Sequence, residues 1–143
     1  MTREAGDRPP AGGRPPVTTE AERLARRAAY RRGLAGESLA AWLLRLKGYR
    51  ILGRRVKTPV GEIDLIARRG DVVAFVEVKR RVASEDALTA VTPAGRRRIA
   101  AAARAWLARH PDHAHGTLRF DLVVVAARRL PRHVVAAFEA EVW

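Results

Sequence analysis

Cysteine is absent from the 143 residues. This excludes disulfides, thiolate catalysis and cysteine-ligated zinc, and a reducing compartment is the simplest setting. No apolar run approaches the length of a membrane span. The opening MTREAGDRPPAGGRPP lacks the apolar stretch of a secretory signal, and its acidic residues argue against a transit peptide. The expectation is a cytoplasmic chain with no membrane partner. Lysine is scarce, with Lys47, Lys57 and Lys79 standing against 25 arginines. Acidic residues are also outnumbered, and the formal charge is +13. Residues 33–143 keep 20 of the 28 basic and 11 of the 15 acidic side chains, so +9 belongs to the part expected to fold. A polyanion partner follows naturally from such a charge, because each basic residue set on a phosphate releases counterions. The plainer reading is an arginine-rich composition on a solvated surface. No phosphate-binding glycine loop and no Ser-His-Asp arrangement stands out.

What is present divides along the chain. Residues 1 to about 17 are rich in Pro, Gly and Arg and predict disorder. Thr19 and Glu22 have capping-box spacing ahead of a basic helix through Arg32, with Arg23, Arg26, Arg27, Arg31 and Arg32 set to meet nucleic acid or solvent. Gly33 and Gly36 punctuate the pattern. A second helix over ESLAAWLLRLKGY turns Leu39, Trp42, Leu43 and Leu46 to an apolar face and stops at Gly48. A strand, YRILGRRVKT, is weakened at Gly53 and ended by Pro59. A hairpin covers Glu62 to Lys79, and RVASEDALTAV predicts a loop. Thr92-Pro93 starts a helix that carries Ile99, Ala102, Ala103 and Trp106 inward and ends near His110-Pro111. TLRFDLVVVAA is a further strand, and RHVVAAFEAEVW reads as strand or helix. The architecture expected is α/β, a mixed sheet flanked by helices in the order α-β-β-β-α-β. A basic extension, 1–32, precedes one domain, 33–143.

The hairpin interrupts its apolar runs with Glu62, Asp64, Glu77 and Lys79. Strand side chains alternate faces. A two-residue turn at Arg69-Gly70 sets Asp64 opposite Phe75 and Glu62 opposite Glu77 and gathers all four charges on one face; a three-residue loop separates them. Ile63, Leu65 and Ala67 take the other face. Like charges opposed in a sheet repel. Lys79 neutralises one, and a divalent cation suits the remaining hard oxygens. The plainer reading is a charged strand end that reaches water. Against it stands Lys79 itself, in a chain where a generic surface cation is arginine. An ammonium can orient or help deprotonate a water, whereas guanidinium is a poor proton acceptor.

Asp64 followed by Glu77-Val78-Lys79 resembles the PD-(D/E)XK nuclease signature. With GESLAAWLLRLKGYRIL, GEIDLIARRGDVVAFVEVKRR, AVTPAGRRRIAAAARAWLA, RFDLVVV and HVVAAF, the chain from Gly33 to Phe138 resembles the YraN-like family of predicted endonucleases. The resemblance implies a restriction-endonuclease-like core similar to archaeal Holliday-junction resolvases. It implies metal-dependent hydrolysis of phosphodiester bonds in DNA, including branched or junction DNA, with Mg2+ or Mn2+ as cofactor. Asp64 and Glu77 then hold the metal, with the Val78 carbonyl as a third ligand, and Lys79 positions the attacking water. Glu37 matches an additional acidic position. Glu62 matches a family position of unassigned role. Arg80, Arg81, Arg96, Arg97 and Arg98 are set to bind flanking phosphates, which positions a backbone without reading bases. A homodimer follows by analogy with resolvases that cut two strands symmetrically. The signature's proline before Asp64 is replaced by Ile63, as is usual for the resolvase-like branch, and the chain departs from the family at Gly95-Arg96 after VTP and in GRRVKT. The alternative function is a nuclease fold that binds nucleic acid without cutting it.

Asp121 has two readings, reaching the active site or pairing with a nearby arginine. His133 reads as structural, and Trp42 and Trp106 as core positions. The run HPDHAH, with His110, Asp112, His113 and His115, reads as a solvated loop or, less plainly, a transition-metal site.

Overall fold

The computed structural model describes residues 18–81 and 91–140. The expected disordered start, most of the loop after Arg81 and the last three residues lie outside them. The elements are α1 (Glu20–Leu46), β1 (Arg50–Thr58), β2 (Gly61–Arg69), β3 (Val72–Arg80), α2 (Pro93–Arg109), β4 (Thr117–Val125) and β5 (Arg132–Phe138). The sheet order is β1-β2-β3-β4-β5. Only β3 and β4 run parallel, joined through α2; every other neighbour pair is antiparallel. This is the expected mixed α/β sheet with flanking helices, and the ambiguous last segment is a strand. No described helix is long and apolar enough to cross a membrane.

Each face of the sheet buries its own cluster. On the α1 side, Ala40, Ala41, Leu44 and Tyr49 pack with Leu65, Ala67, Ala74, Val76, Val123 and Val125. On the α2 side, Ile99, Ala103 and Trp106 pack with Ile66, Val73, Phe75, Phe120, Leu122 and Phe138. α2 follows its sequence pattern, with Thr92 accepting from the Gly95 N–H and Pro93 at the first position.

α1 differs from expectation in two ways. It does not break at Gly33 or Gly36; one helix of 27 residues begins at the Thr19–Glu22 capping box. Its buried stripe is Gly36, Glu37, Ala40, Ala41 and Leu44, while Trp42 is 53% and Leu46 65% exposed. The small residues let the helix approach the sheet closely, and the large ones are turned out. Beyond Leu46, Tyr49 N–H bonds the Leu44 carbonyl and Gly48 N–H the Arg45 carbonyl, with Gly48 at φ +88°. These paired bonds end the helix as the sequence predicts.

The hairpin turn lies one residue later than expected. Arg69 pairs with Val72, so the turn is Gly70-Asp71. Moving both ends together preserves which residues share a face. It also sets Ile66 against Phe75 and Leu65 against Val76, pairing four buried apolar side chains rather than opposing Phe75 to Asp64.

Candidate functional site

The ladder between β2 and β3 ends at Leu65–Val76. Beyond it, β2 continues only with β1, through Ile63–Val56 and Glu62–Lys57, and β3 only with β4, through Glu77–Leu122 and Lys79–Val124. The two strands part, and the acidic residues stand in the fork. Asp64 fills the gap: its Oδ2 accepts the Val78 N–H at 2.8 Å, in place of the missing backbone partner. In an extended strand the N–H and C=O of one residue project to the same edge, so the Val78 carbonyl faces the fork as well.

The alternation of β2 slips at this point. Leu65 and Ala67 belong to the α1-side core, as expected, but Ile63 packs into the α2-side core. Asp64 lies between the two and projects along the sheet into the fork, where groups from both sides meet it. Glu77 and Lys79 come from the α2 side, with Lys79 Nζ 3.1 Å from Glu77 Oε1.

The electrostatics of this set are unfavourable as it stands. Burial pushes the Asp64 carboxyl up, against the opposing Val78 N–H, the Glu77 hydrogen bond and Lys79. Glu77 is pushed up to about 7, first by burial and then by the Asp64 charge, with Lys79 only partly offsetting them. The two half-buried carboxylates lie in hydrogen-bonding reach, so the charge of each depends on the protonation of the other.

Glu37 approaches from α1. It is 6% exposed. Arg55 Nε donates to its Oε1 at 3.1 Å and lies 3.0 Å from Oε2, which accepts no hydrogen bond. Burial raises the Glu37 carboxyl, Arg55 opposes this, and the Asp64 charge adds to the rise. Arg55 is a residue that sequence reasoning missed, because nothing in the spacing of GRRVKT singles it out. It stands on β1 at the rung facing Asp64, between the pairs Arg54–Leu65 and Val56–Ile63. Its backbone is left-handed, φ 49°, which costs a non-glycine residue about 1 kcal/mol. Its guanidinium lies 4.8 Å from the centre of the Tyr30 ring.

A cleft of about 580 Å³ opens from Glu77 and Lys79 toward α2, with Glu62, Arg81, Thr92 and Arg98 on its walls. Its depth depends on Gly61, where a Cβ would stand 3.1 Å from the Arg98 carbonyl oxygen. The arginines expected to act together are divided. Arg81 and Arg98 line the cleft. Arg80 lies on the α1 side near Gly36. Arg96 and Arg97 line a separate pocket beside Glu139, and Arg96 also donates to the Val91 carbonyl and covers the Phe138 ring.

Asp121 is not in the fork. Its neighbours Phe120 and Leu122 face α2, so Asp121 faces α1. There it is fully buried, bonded twice by Arg119 at 2.8 Å, by His133 Nε2 at 2.7 Å and by the Ala136 N–H at 3.0 Å. Arg119 also donates to the Tyr49 hydroxyl, and Lys47 reaches the other nitrogen of His133. The arginine-pairing reading of Asp121 and the structural reading of His133 describe this network. In HPDHAH, His110 stacks on Trp106 at 4.2 Å and His113 bonds Arg68 at 2.8 Å. Among the described residues no group of three or more His, Cys, Asp or Glu side chains is gathered to hold a metal ion.

The fork nevertheless suits a hard divalent cation. Magnesium keeps several waters and needs only one or two carboxylates. Asp64 and Glu77 are such a pair, with the Val78 carbonyl edge beside them, and their mutual repulsion is the kind that a cation relieves.

Comparison with known proteins agrees with the sequence resemblance at the level of family. Residues 36–125 match the model of the uncharacterised protein family UPF0102. A UPF0102 protein of Bradyrhizobium sp. strain ORS 278 is 55% identical over 139 residues, covering 97% of this chain and 96% of its own. One from Chelativorans sp. strain BNC1 is 59% identical over 118 residues, covering 82% and 95%. The family match and these nearly full-length identities lead to one statement: the chain belongs to the uncharacterised protein family UPF0102, the YraN-like family its motifs resemble.

Proposed function

We propose that the protein is a metal-dependent endonuclease that hydrolyses phosphodiester bonds in DNA, including branched or junction DNA. The observation that carries this reading is the convergence of Asp64, Glu77 and Lys79 where the sheet splits, with Glu77 held near neutrality. An acid raised by burial and a neighbouring charge, standing beside a cleft, supports a chemical role. Asp64, Glu77 and the Val78 carbonyl hold Mg2+ or Mn2+, which supplies charge stabilisation and a more acidic water when bound. Lys79 orients the attacking water and steadies the negative charge that builds on the phosphorus oxygens. Arg81 and Arg98 hold the flanking phosphates in the cleft without reading sequence. Glu37, held by Arg55, would add a carboxyl to the site from α1.

The second reading is a nucleic-acid-binding module that does not cut. It is favoured by the Lys79–Glu77 ion pair and by two carboxylates meeting rather than three. A cleavage assay on duplex, four-way-junction and single-stranded DNA and on RNA, with Mg2+, Mn2+ or EDTA, separates the two. The expected result is metal-dependent cutting that falls by at least about 100-fold in Asp64→Asn and Lys79→Ala while binding persists. Clean wild-type protein that binds these substrates and cuts none, in either metal, establishes the second reading instead.

A further inference from the structure

Among the described residues, the first half of α1 touches the body through Tyr30 against Arg55 and is otherwise exposed. Residues 20–32 are exposed along their whole length, and burial begins near Gly36. Yet the stripe that faces the sheet continues through both halves. Its positions recur in steps of four and three: Arg23, Arg27, Tyr30, Leu34, Glu37, Ala41, Leu44, with Arg26 and Ala40 alongside. Over the sheet the stripe is Glu37, Ala40, Ala41 and Leu44, all buried. On the overhang it is Arg23, Arg26, Arg27 and Tyr30. The Tyr30 ring against Arg55 shows that the stripe keeps its direction as it leaves the body. Among the described residues, no ion pair neutralises Arg23, Arg26 or Arg27, which stand on the part of the helix that brings Tyr30 against Arg55. Of its acids, Glu22 is occupied in the Thr19 cap and Glu20 lies in the same first turn.

We infer that the N-terminal half of α1 is an arm that docks on the phosphate backbone of duplex DNA beside the Glu37–Asp64 fork. This inference takes its partner from the nuclease reading, but its geometry and charge are independent of any chemistry. From Arg23 to Glu37 the helix rises about 21 Å, which matches about six nucleotide steps of one strand at ~3.4 Å each. Arginine suits this task because it binds phosphate in a fork and stays charged. The concentration of arginine argues against a second copy of the same arm as occupant, since two such stripes repel.

The test is fluorescence anisotropy of a labelled DNA duplex with the full chain, in EDTA, across a range of KCl concentrations. The comparison is wild type against the triple change Arg23→Gln, Arg26→Gln, Arg27→Gln. The salt slope is expected to fall by up to about 3, and affinity near 0.1 M salt by roughly 100-fold or more. Thermal unfolding should not move, because the three arginines are exposed. The triple Arg→Lys change should keep the slope. An unchanged slope overturns the arm. So does a triple variant that only turns a dimer into a monomer by sedimentation, with the slope per protomer unaltered, which would make the arm a contact between copies. EDTA separates this test from catalysis: Asp64→Asn should show the same arm dependence. A chain that never cuts leaves the arm standing, and a chain that cuts with an unchanged slope removes the arm alone.

Discussion

Two aspartates, one half-buried on β2 and one fully buried on β4, have opposite surroundings. Asp121 is enclosed by Arg119, His133 and a backbone N–H; burial acts upward on its carboxyl, but these bonds outweigh it and hold it below the usual range. Asp64 is enclosed by one N–H, a second acid and an ion-paired lysine, and burial leaves it raised. Folding explains the first arrangement, because a buried charge is tolerated when it is paired and bonded. It does not explain the second. A fold that can build the Asp121 network could have neutralised Asp64 in the same way. In the fork, Lys79 and the raised Glu77 carboxyl offset the like charges only in part.

The comparison is broken most sharply by removing one charge from each place. Asp121→Asn should cost about 3–5 kcal/mol, since it strands Arg119 and His133 around a neutral amide. Asp64→Asn should leave stability at pH 8 within about 1 kcal/mol or raise it, because the Val78 N–H keeps an acceptor and the like-charge repulsion with Glu77 disappears. Urea unfolding of the two variants measures both. Equal losses would mean that the fork is as structural as the Asp121 network.

A pH series sharpens the same contrast. Glu77 is raised from 4.5 to about 7, so its contribution to stability is full below about 4.5 and is lost as pH climbs through about 7. The loss is of order 3 kcal/mol. Asp121 has the opposite sign: its contribution is present above the ordinary aspartate range and is lost as pH falls through its lowered value. In metal-free buffer, stability should therefore decline on both sides of a maximum. Glu77→Gln should flatten the neutral side only, and Mg2+ or Mn2+ should restore stability there in wild type. A neutral limb unmoved by Glu77→Gln places the titration elsewhere.

The smallest expected effect concerns the cleft rather than the charges. Gly61→Ala presses a methyl against the Arg98 carbonyl at 3.1 Å and should cost about 1–2 kcal/mol by shifting α2. Its effect on DNA binding should exceed its effect on unfolding, because Arg98 forms a wall of the cleft and α2 keeps its remaining core. Anisotropy and thermal unfolding of this one variant give both numbers.

Much of this was legible from local patterns. The Thr19–Glu22 box, the Gly48 stop and the Thr92-Pro93 start are short-range signals, and each is found where the chain predicts it. The failures have a common cause. Trp42 and Leu46 were expected inside on apolar character, but Gly36, Ala40 and Ala41 decide how close the helix approaches, and they place the large side chains outside. The turn is displaced by one residue because Ile66 and Leu65 pair better with Phe75 and Val76 than charge pairs with aromatic. Arg55 was invisible, since its value lies in a left-handed backbone and in partners 18 and 25 residues away in sequence.

By itself, the sequence determined the order α-β-β-β-α-β and that Asp64, Glu77 and Lys79 would lie near one end of the same hairpin. Period-two alternation and end-capping are properties of neighbouring residues. Only the tertiary structure decided that β2 and β3 part at Leu65–Val76, that Asp64 turns into the gap, that Arg55 pairs with Glu37 of α1, and that Asp121 is enclosed by Arg119 and His133. Those outcomes depend on which strands keep their partners and how closely a helix can lie on a sheet, and no short stretch of chain contains that information.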